Sequence, residues 1–359
     1  MKRIGILTSG GDCQALNATM RGAAKGLYNL FDEVEIYGFL DGYRGLMYGD
    51  YRKMKEEDFS GILTKGGTIL GTSRQPFKLM RQPGENGLDK VKAMKETYKK
   101  LKLDCLIVLG GNGSQKTANL LREEGLNVIG LPKTIDNDIW GTDHTFGFSS
   151  AVDIATRAID EIHTTAESHH RIFVVEIMGH KVGWITLYAG IAGGADVILI
   201  PEIPYNMDAV IKSLKKRRKK GKSFSIVAVA EGAISQELAS LPKKERKLRL
   251  AQSAYPSVGY EIAAQIQEIM GAEVRVAVPG HVQRGGIPSA SDRILASRVG
   301  AKGAELIKQE SYGRLVVQLG EEVTSIPMEA SAGKLKSISP DDNHITQARI
   351  LGISFGDEK

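Results

Sequence analysis

Three polar stretches combine residue types that can bind a phosphate group. PKTIDND, residues 132–138, gathers a lysine, a threonine and two aspartates directly after a short apolar run. Two Gly-rich turns, SGGD at 9–12 and GGNGS at 110–114, follow other apolar runs and precede helical patterns. Such turns present backbone N–H groups and a positive helix end to an anion. Taken alone, either Gly-rich stretch is as typical of a simple tight turn as of a phosphate site. Two such stretches, together with carboxylates and an arginine at other strand ends, favour a phosphate site.

The elements that position these stretches follow one repeated pattern. Short apolar, β-branched runs end abruptly in glycine or polar residues, and a helical pattern follows. Runs that are apolar on both faces are typical of parallel strands covered by helices, so the pattern predicts an α/β doubly wound fold. Such sheets bind ligands outside the carboxyl ends of their strands. The runs cover residues 3–7, 34–40, 105–109, 128–131, 172–177, 197–200, 225–230, 274–278 and 315–319.

Composition narrows the class of protein. The chain has 359 residues, which favours two domains, and 42% of them are hydrophobic, which is normal for a globular protein. No apolar run has membrane-spanning length and the start, MKRIGILTSGG, lacks the core of a signal peptide, so we expect a cytoplasmic protein with no membrane partner. The two cysteines, Cys13 and Cys105, fit reduced thiols in that compartment. The net charge of +6 suggests anionic ligands.

Other nucleotide and nucleic-acid motifs are incomplete. The P-loop pattern fails because no glycine precedes Lys116, and the glycine turns contain no full GxGxxG. The most basic run, KKRRKKGK at 215–222, has no interleaved aromatic residues. We therefore expect this run to be the solvated end of a helix, and we expect no nucleic-acid partner.

With these motifs the chain resembles the 6-phosphofructokinases, a family that uses ATP or pyrophosphate. The resemblance runs from Lys2 to about Gly320 and rests on LTSGGD, GGTILGTSR, GGNGS, PKTIDND, SHHRIFVVEIMG and GHVQRGG. It implies two Rossmann-like lobes with mostly parallel sheets and an active site in the cleft between them. It predicts a larger, phosphoryl-donor-binding lobe of residues 1–147 plus about 283–333, and a smaller, sugar-phosphate-binding lobe of about 148–282 plus 334–359.

The reaction that the resemblance implies is phosphorylation of fructose 6-phosphate at its C1 hydroxyl by ATP, with Mg²⁺, to give fructose 1,6-bisphosphate in glycolysis. An alcohol is a poor nucleophile, so a carboxylate must take its proton, and by motif this is Asp136. Asp138 is expected near the metal and the transferring phosphoryl group, and Thr134 near the phosphoryl acceptor. Arg74 resembles the arginine that reaches the transferring phosphate, and Lys133 offers a further phosphate contact.

The resemblance also assigns binding residues. Those for the donor are Gly10, Gly11, Arg74, Gly111, Asn112, Gly113 and Ser114, with Asn112 and Asp138 as metal ligands. Those for the sugar phosphate are Thr134, Asp136, Arg171, Met178, Gly179, Glu231, Arg275, His281 and Arg284. Arg171 and Arg275 resemble a pair that reaches the 6-phosphate from a neighbouring subunit, which implies a homodimer or homotetramer.

The chain departs from the family pattern at three places. Gln14 and Ala15 replace a Pro-Gly pair, and His180 stands where many relatives carry arginine. Asn112 replaces an aspartate that assists Mg²⁺. Because an amide oxygen carries no charge, metal binding is expected to depend more on Asp138.

Two positions bear on the phosphoryl donor. Pyrophosphate users usually carry aspartate at Gly113, where it would displace and repel the α-phosphate of a nucleotide, and lysine at Lys133. The open space at Gly113 is required for ATP, whereas Lys133 only adds a contact, so we expect ATP. Three alternatives stay open: a pyrophosphate-dependent phosphotransferase, a non-catalytic, sugar-phosphate-binding regulatory subunit, against which Asp136 argues, and, least favoured, a nucleic-acid-binding protein that would rest on the basic run 215–222.

Overall fold

The chain forms two compact units. The structure, a computed structural model, describes residues 1–358. Unit 1 comprises Met1–Ser150 and Arg284–Lys336, and unit 2 comprises Ala151–Gln283 and Ser337–Lys359. Each unit is built around its own sheet.

Every apolar run predicted from the sequence forms a strand, and the predicted α/β fold with mostly parallel sheets is confirmed. The strands are β1 (Lys2–Ser9), β2 (Val34–Phe39), β3 (Tyr51–Met54), β4 (Cys105–Gly110), β5 (Val128–Pro132), β6 (Ile172–Ile177), β7 (Val197–Leu199), β8 (Ser225–Ala230), β9 (Val274–Ala277), β10 (Arg314–Leu319) and β11 (Glu322–Pro327).

The sheet of unit 1 has seven strands in the order β11-β10-β5-β4-β1-β2-β3. Its inner strands pair in parallel, and β4 and β5 are buried along their whole length because helices cover both faces. The two edge strands, β3 and β11, are antiparallel and polar. The sequence pattern missed both, because an exposed edge strand need not be apolar on either face.

Among residues 1–358, thirteen α-helices alternate with the strands or follow them, and all but the two over Gln236–Ser240 and Lys243–Ala251 bury apolar side chains. They are α1 (Leu16–Leu30), α2 (Tyr43–Tyr48), α3 (Lys90–Lys100), α4 (Asn112–Glu123), α5 (Phe148–His169), α6 (Trp184–Ala192), α7 (Met207–Lys219), α8 (Gln236–Ser240), α9 (Lys243–Ala251), α10 (Val258–Met270), α11 (Ala290–Lys308), α12 (Met328–Ser331) and α13 (Asn343–Ile350). Short 3₁₀ helices cover Glu56–Phe59, Phe77–Leu79, Glu85–Gly87 and Gly280–Arg284.

Helix α1, which carries the chain away from the first glycine turn, packs backbone to backbone on α11. A Cβ atom on Gly22 would lie 2.7 Å from the carbonyl oxygen of Ser297, and one on Gly300 would lie 2.4 Å from that of Thr19. Both positions therefore require glycine. This contact fixes α1 and the turn before it against the body of unit 1.

The sheet of unit 2 has four parallel strands in the order β7-β8-β6-β9. Its core includes Val174, Leu199, Val227 and Val229, which are fully buried. The basic run 215–222 covers the last turn of α7 and the residues after it, as predicted, where cations suit the helix dipole. Among residues 1–358, no helix is both long enough and apolar enough to span a membrane.

Candidate active site

The polar stretches of unit 1 meet because three strands end in register. Ser9 of β1 pairs with Gly110 of β4, and Gly110 pairs with Pro132 of β5. The two glycine turns and the PKTIDND loop therefore leave the sheet side by side. Strand β1 has β2 on one side and β4 on the other, so this edge is also where the strand order reverses, which is the usual ligand position in such sheets.

The TIDND loop alternates between anchoring and presenting residues. Ile135 and Ile139 are 0% and 1% exposed, whereas the two aspartates next to them, Asp136 and Asp138, are only half-buried. The backbone N–H of Asp136 donates to Oγ1 of Thr134 at 3.0 Å. The apolar anchors thus hold both carboxylates at the edge of the sheet with little freedom to move.

Asn137, which lies between the two aspartates, stabilises the loop through hydrogen bonds of its buried side chain. It is buried and adopts a left-handed conformation with φ of 54°, which asparagine tolerates. Its Nδ2 donates to the carbonyl oxygen of Asp143 at 3.1 Å, and its Oδ1 accepts the N–H of Thr145 at 3.1 Å. Oγ1 of Thr145 in turn donates to the carbonyl oxygen of Thr134 at 2.7 Å. The sequence motif assigns no role to Asn137, because the partners of its side chain, Asp143 and Thr145, lie outside the motif.

Two cations bind the first glycine turn. The Nζ atom of Lys133, a residue that is 3% exposed, donates to the carbonyl oxygen of Gly11. Nη1 of Arg284 donates to the carbonyl oxygen of Asp12 at 2.9 Å, and a Cβ atom on Gly11 would lie 2.7 Å from that Nη1. Burial lowers the pKa of the Lys133 ammonium below its usual value, and the charge of Arg284 adds to this effect. Arg284, predicted to bind the sugar phosphate, thus contacts the glycine turn in unit 1.

The stretch 72–74 lies against the same turn. Oγ1 of Thr72 donates to the carbonyl oxygen of Gly10 at 2.7 Å, and the N–H of Gly10 donates to the carbonyl oxygen of Ser73 at 3.1 Å. Arg74 follows directly and is exposed. These bonds place the base of the predicted phosphate-binding arginine next to Gly10.

The second glycine turn opens α4. Gly111 precedes the helix as its N-cap, and Oγ of Ser114 donates to Oγ of Ser9 at 3.0 Å, which links the two glycine turns. A Cβ atom on Gly113 would have no neighbouring atom within 4 Å. The space next to the Cα atom of Gly113 is therefore open.

Gln115 is a further positioning residue that sequence reasoning missed. Its side chain is 2% exposed, and its Nε2 donates to the carbonyl oxygens of Gly110 and Leu131, both at 3.0 Å. It therefore ties the ends of β4 and β5 together beneath the site. The only signal in the sequence is an amide in the first turn of a helix that follows a buried strand.

The predicted metal ligands are connected through one segment, residues 334–336. Nδ2 of Asn112 donates to the carbonyl oxygen of Lys334 at 2.8 Å, and the N–H of Lys336 donates to the carbonyl oxygen of Asp138 at 3.0 Å. Among the described residues no group of three or more His, Cys, Asp or Glu side chains could hold a metal by itself. One carboxylate and one amide oxygen nevertheless fit Mg²⁺, which commonly completes its shell with waters and substrate phosphates.

In unit 2, β6 and β8 end opposite each other, so Met178 and Gly179 lie beside Glu231. Oε1 of Glu231 accepts the N–H groups of Gly179 at 3.2 Å and His180 at 2.6 Å. His281 lies beyond β9, in the 3₁₀ helix Gly280–Arg284. The Glu231 carboxylate is thereby fixed in orientation at the carboxyl edge of this sheet.

The two remaining arginines lie at the other end of the same sheet. Arg171 precedes β6 and Arg275 is the second residue of β9, and both contact the carboxylate of Glu273, with 2.8 Å between Arg171 Nη2 and Glu273 Oε1. The hydrogen bond from Arg171 lowers the pKa of the Glu273 carboxyl group. Because β6 has six residues, its two ends are about 20 Å apart. The structure therefore brings Arg171 to Arg275 but not to Met178 or Glu231 of the same chain.

Fold and site together place the chain in a class: doubly wound α/β proteins whose strand ends carry glycine turns, carboxylates and cations suited to phosphate groups. The sequence profile described as "Phosphofructokinase" matches residues 3–307. The chain therefore belongs to the phosphofructokinase family.

Individual relatives agree with this membership. An ATP-dependent 6-phosphofructokinase of Spirochaeta thermophila is 56% identical over 99% of this chain and 98% of its own length. ATP-dependent 6-phosphofructokinase 3 of Bacteroides thetaiotaomicron is 46% identical over 99% of this chain and 100% of its own. The solved structure of a pyrophosphate-dependent phosphofructokinase from Marinobacter aquaeolei has a TM-score of 0.80, with 21% identity over 99% of this chain and 92% of that one. At that identity the likeness shows the fold alone.

The brace at Asn137 generates a prediction. We expect Asn137→Ala to lower the free energy of unfolding by about 1–3 kcal/mol, because two backbone groups lose a buried partner, and to lower turnover at least about tenfold. Denaturant unfolding and steady-state kinetics measure the two effects. Asn127→Ala is the matched control, since Nδ2 of the exposed Asn127 also donates to a carbonyl oxygen, that of Asp104, but just before β5 begins. Loss of stability with unchanged turnover would contradict the prediction that Asn137 positions the two aspartates for catalysis.

Proposed function

We propose that this chain transfers the γ-phosphoryl group of ATP to the C1 hydroxyl of fructose 6-phosphate, forming fructose 1,6-bisphosphate and ADP in glycolysis. The observation that carries the proposal is the placement of Asp136 beside the glycine turns, in a chain 56% identical to an ATP-dependent 6-phosphofructokinase. Unit 1 would bind the donor and unit 2 the sugar phosphate. The proposal places the reaction in the cytoplasm, where glycolysis runs and where thiols such as those of Cys13 and Cys105 stay reduced.

Phosphoryl transfer to an alcohol requires a group that accepts the hydroxyl proton and groups that neutralise the negative charge of the phosphates. As the C1 oxygen attacks the γ-phosphorus, its proton passes to the carboxylate of Asp136 and the bond from the γ-phosphorus to the leaving oxygen of ADP breaks. Arg74 would contact the transferring phosphate in a bidentate way. Asp138 and Asn112 would hold Mg²⁺, which neutralises phosphate charge when bound.

The choice of ATP over pyrophosphate rests on Gly113 and on both relatives. The open space at Gly113 suits a nucleotide, and the two relatives at 56% and 46% identity are named as ATP-dependent. The pyrophosphate-dependent structure shares only the fold. Lys133, the feature in favour of pyrophosphate, has its ammonium on the carbonyl oxygen of Gly11.

Sugar-phosphate binding would need two subunits. Glu231, Met178, Gly179 and His281 would contact the sugar at the carboxyl edge of the unit 2 sheet. Arg171 precedes β6 and so lies about 20 Å from that edge, and Arg275, which pairs with Phe173, lies about 13 Å from the level of Ile177, so both are displaced from that edge in their own chain. We therefore propose a homo-oligomer in which these arginines complete the 6-phosphate site of a neighbour.

The first test of the proposed function concerns Asp136 as the proton acceptor. Asp136→Asn should lower turnover about 10²- to 10⁴-fold and leave fructose 6-phosphate binding intact, since the change keeps the shape but removes the proton acceptor. A coupled assay with ATP and with pyrophosphate measures turnover, and calorimetry measures sugar binding. Asp160→Asn, at an exposed aspartate of α5, is the control. An unaltered protein with no turnover on either donor would favour the regulatory-subunit alternative.

The second prediction tests the donor. Gly113→Asp should raise the Michaelis constant for ATP strongly through repulsion of the nucleotide phosphates, whereas Gly113→Ala should change it little. Folding should survive both changes, because the space is open and aspartate suits the first turn of a helix. Faster turnover of the unaltered enzyme on pyrophosphate than on ATP, at saturating Mg²⁺, would show that the ATP assignment is wrong.

The third prediction tests the shared site. Arg275→Ala should raise the Michaelis constant for fructose 6-phosphate about tenfold or more and that for ATP far less, because a charge-assisted phosphate contact is lost. Mixing this variant with Asp136→Asn subunits should restore part of the activity. Arg52→Ala, on the exposed edge strand β3, is the control. No restoration in demonstrated mixed oligomers would exclude a shared site.

A further inference from the structure

Three successive carbonyl groups of the first glycine turn each accept a side-chain hydrogen bond from a different segment. The carbonyl oxygen of Gly10 accepts Oγ1 of Thr72 at 2.7 Å. That of Gly11 accepts Nζ of Lys133, and that of Asp12 accepts Nη1 of Arg284 at 2.9 Å. The donors come from the loop after β3, the end of β5 and the segment before α11, so the turn is fixed from three directions.

The direction of these carbonyls decides the direction of the amides. In a trans peptide the C=O of one residue and the N–H of the next point in opposite directions, and the described residues contain no cis peptide bond. With the Gly10 and Gly11 carbonyls directed at Thr72 and Lys133, the N–H groups of Gly11 and Asp12 face away from these donors. The two hydrogen bonds thus fix the orientation of both peptide planes, and backbone N–H groups of such a turn can bind an anion.

Lys133 is held in this position by its surroundings. It is 3% exposed, and its own backbone N–H donates to the carbonyl oxygen of Gly110 at 3.1 Å, which keeps it in line with the neighbouring strand. A buried ammonium group is unfavourable without hydrogen-bond acceptors. The carbonyl oxygen of Gly11 supplies one, so removing either group leaves the other without its partner.

We infer that Lys133 is a positioning residue for the phosphoryl donor: together with Thr72 it directs the amides of Gly11 and Asp12 toward the donor phosphates, rather than touching the transferred phosphate itself. The inference rests on the proposed function, since it takes the glycine turn as part of the donor site. It accounts for a lysine at this position in a chain with an open Gly113. The ammonium group of Lys133 binds the carbonyl oxygen of Gly11, and the space next to Gly113 at the start of α4 stays available to the nucleotide.

The test is a double-mutant cycle on the full chain with Thr72→Val, Lys133→Met and the pair together. Binding of a non-hydrolysable ATP analogue with Mg²⁺ is measured by calorimetry without sugar, and kinetics give the Michaelis constants and turnover. We expect each single change to weaken nucleotide binding about tenfold, while turnover at saturating ATP and the Michaelis constant for fructose 6-phosphate change less than about threefold. The double variant should lose much less than the product of the two effects, because both changes release the same turn.

Matched controls are Thr164→Val and Lys92→Met, which alter exposed side chains on α5 and α3. A fall in turnover with unchanged nucleotide affinity in Lys133→Met, or a double variant whose loss equals the product of the single ones, would overturn the inference. If Lys133→Met does not fold, Thr72→Val decides, and normal nucleotide affinity in that variant overturns it. No nucleotide binding by the unaltered protein would overturn the proposed function as well, whereas binding that the variants do not alter would overturn the inference alone.

Discussion

The pairing register of β1, β4 and β5 determines where every polar group of unit 1 lies. Ser9, Gly110 and Pro132 end neighbouring strands at the same level, so the loops that follow them start about 5 Å apart. A slip of one residue would exchange the two faces of a strand. Helices cover both faces of this sheet, so such a slip would disturb packing on both sides. The core thus fixes the geometry of the site before any polar group contributes.

Hydrogen bonds to backbone groups then convert this coarse placement into a defined site. Asn137 and Thr145 hold the loop that presents the two aspartates, Gln115 ties β4 to β5, and Thr72 and Lys133 hold the first glycine turn. Each of these side chains donates to a backbone carbonyl group, within the same loop for Asn137 and in a distant segment for Thr72 and Lys133. Loops on the surface of a protein are usually its most mobile parts, and a site for phosphoryl transfer needs groups held within fractions of an ångström. Here the amide, hydroxyl and ammonium groups named above restrain the loops, so that the side chains on them can be held in place.

In unit 2 the family resemblance assigns residues to one sugar phosphate that lie at opposite ends of the parallel strands. Glu231 follows the carboxyl end of its strand, whereas Arg171 and Arg275 lie at the amino ends of theirs, where Glu273 keeps them together. Under the proposed function, association of subunits is then part of building the site. A symmetric interface suits this need, because each subunit both gives and receives the same residues.

The sequence by itself determined the α/β class, the apolar strands and the glycine turns and aspartates at their ends, because these depend on local patterns of burial and on motif residues close together in the chain. It did not predict the edge strands β3 and β11, whose polar residues carry no such pattern. Only the tertiary structure decided that Lys133 bonds to Gly11, that Asn137 braces the loop, and that Arg171 and Arg275 share Glu273. Lys133 and Asn137 are buried polar groups and must find partners, whereas Arg171, Arg275 and Glu273 meet because β6 pairs with β9. In each case the partner depends on proximity in the folded chain, which a hydrophobicity pattern or a short motif does not encode.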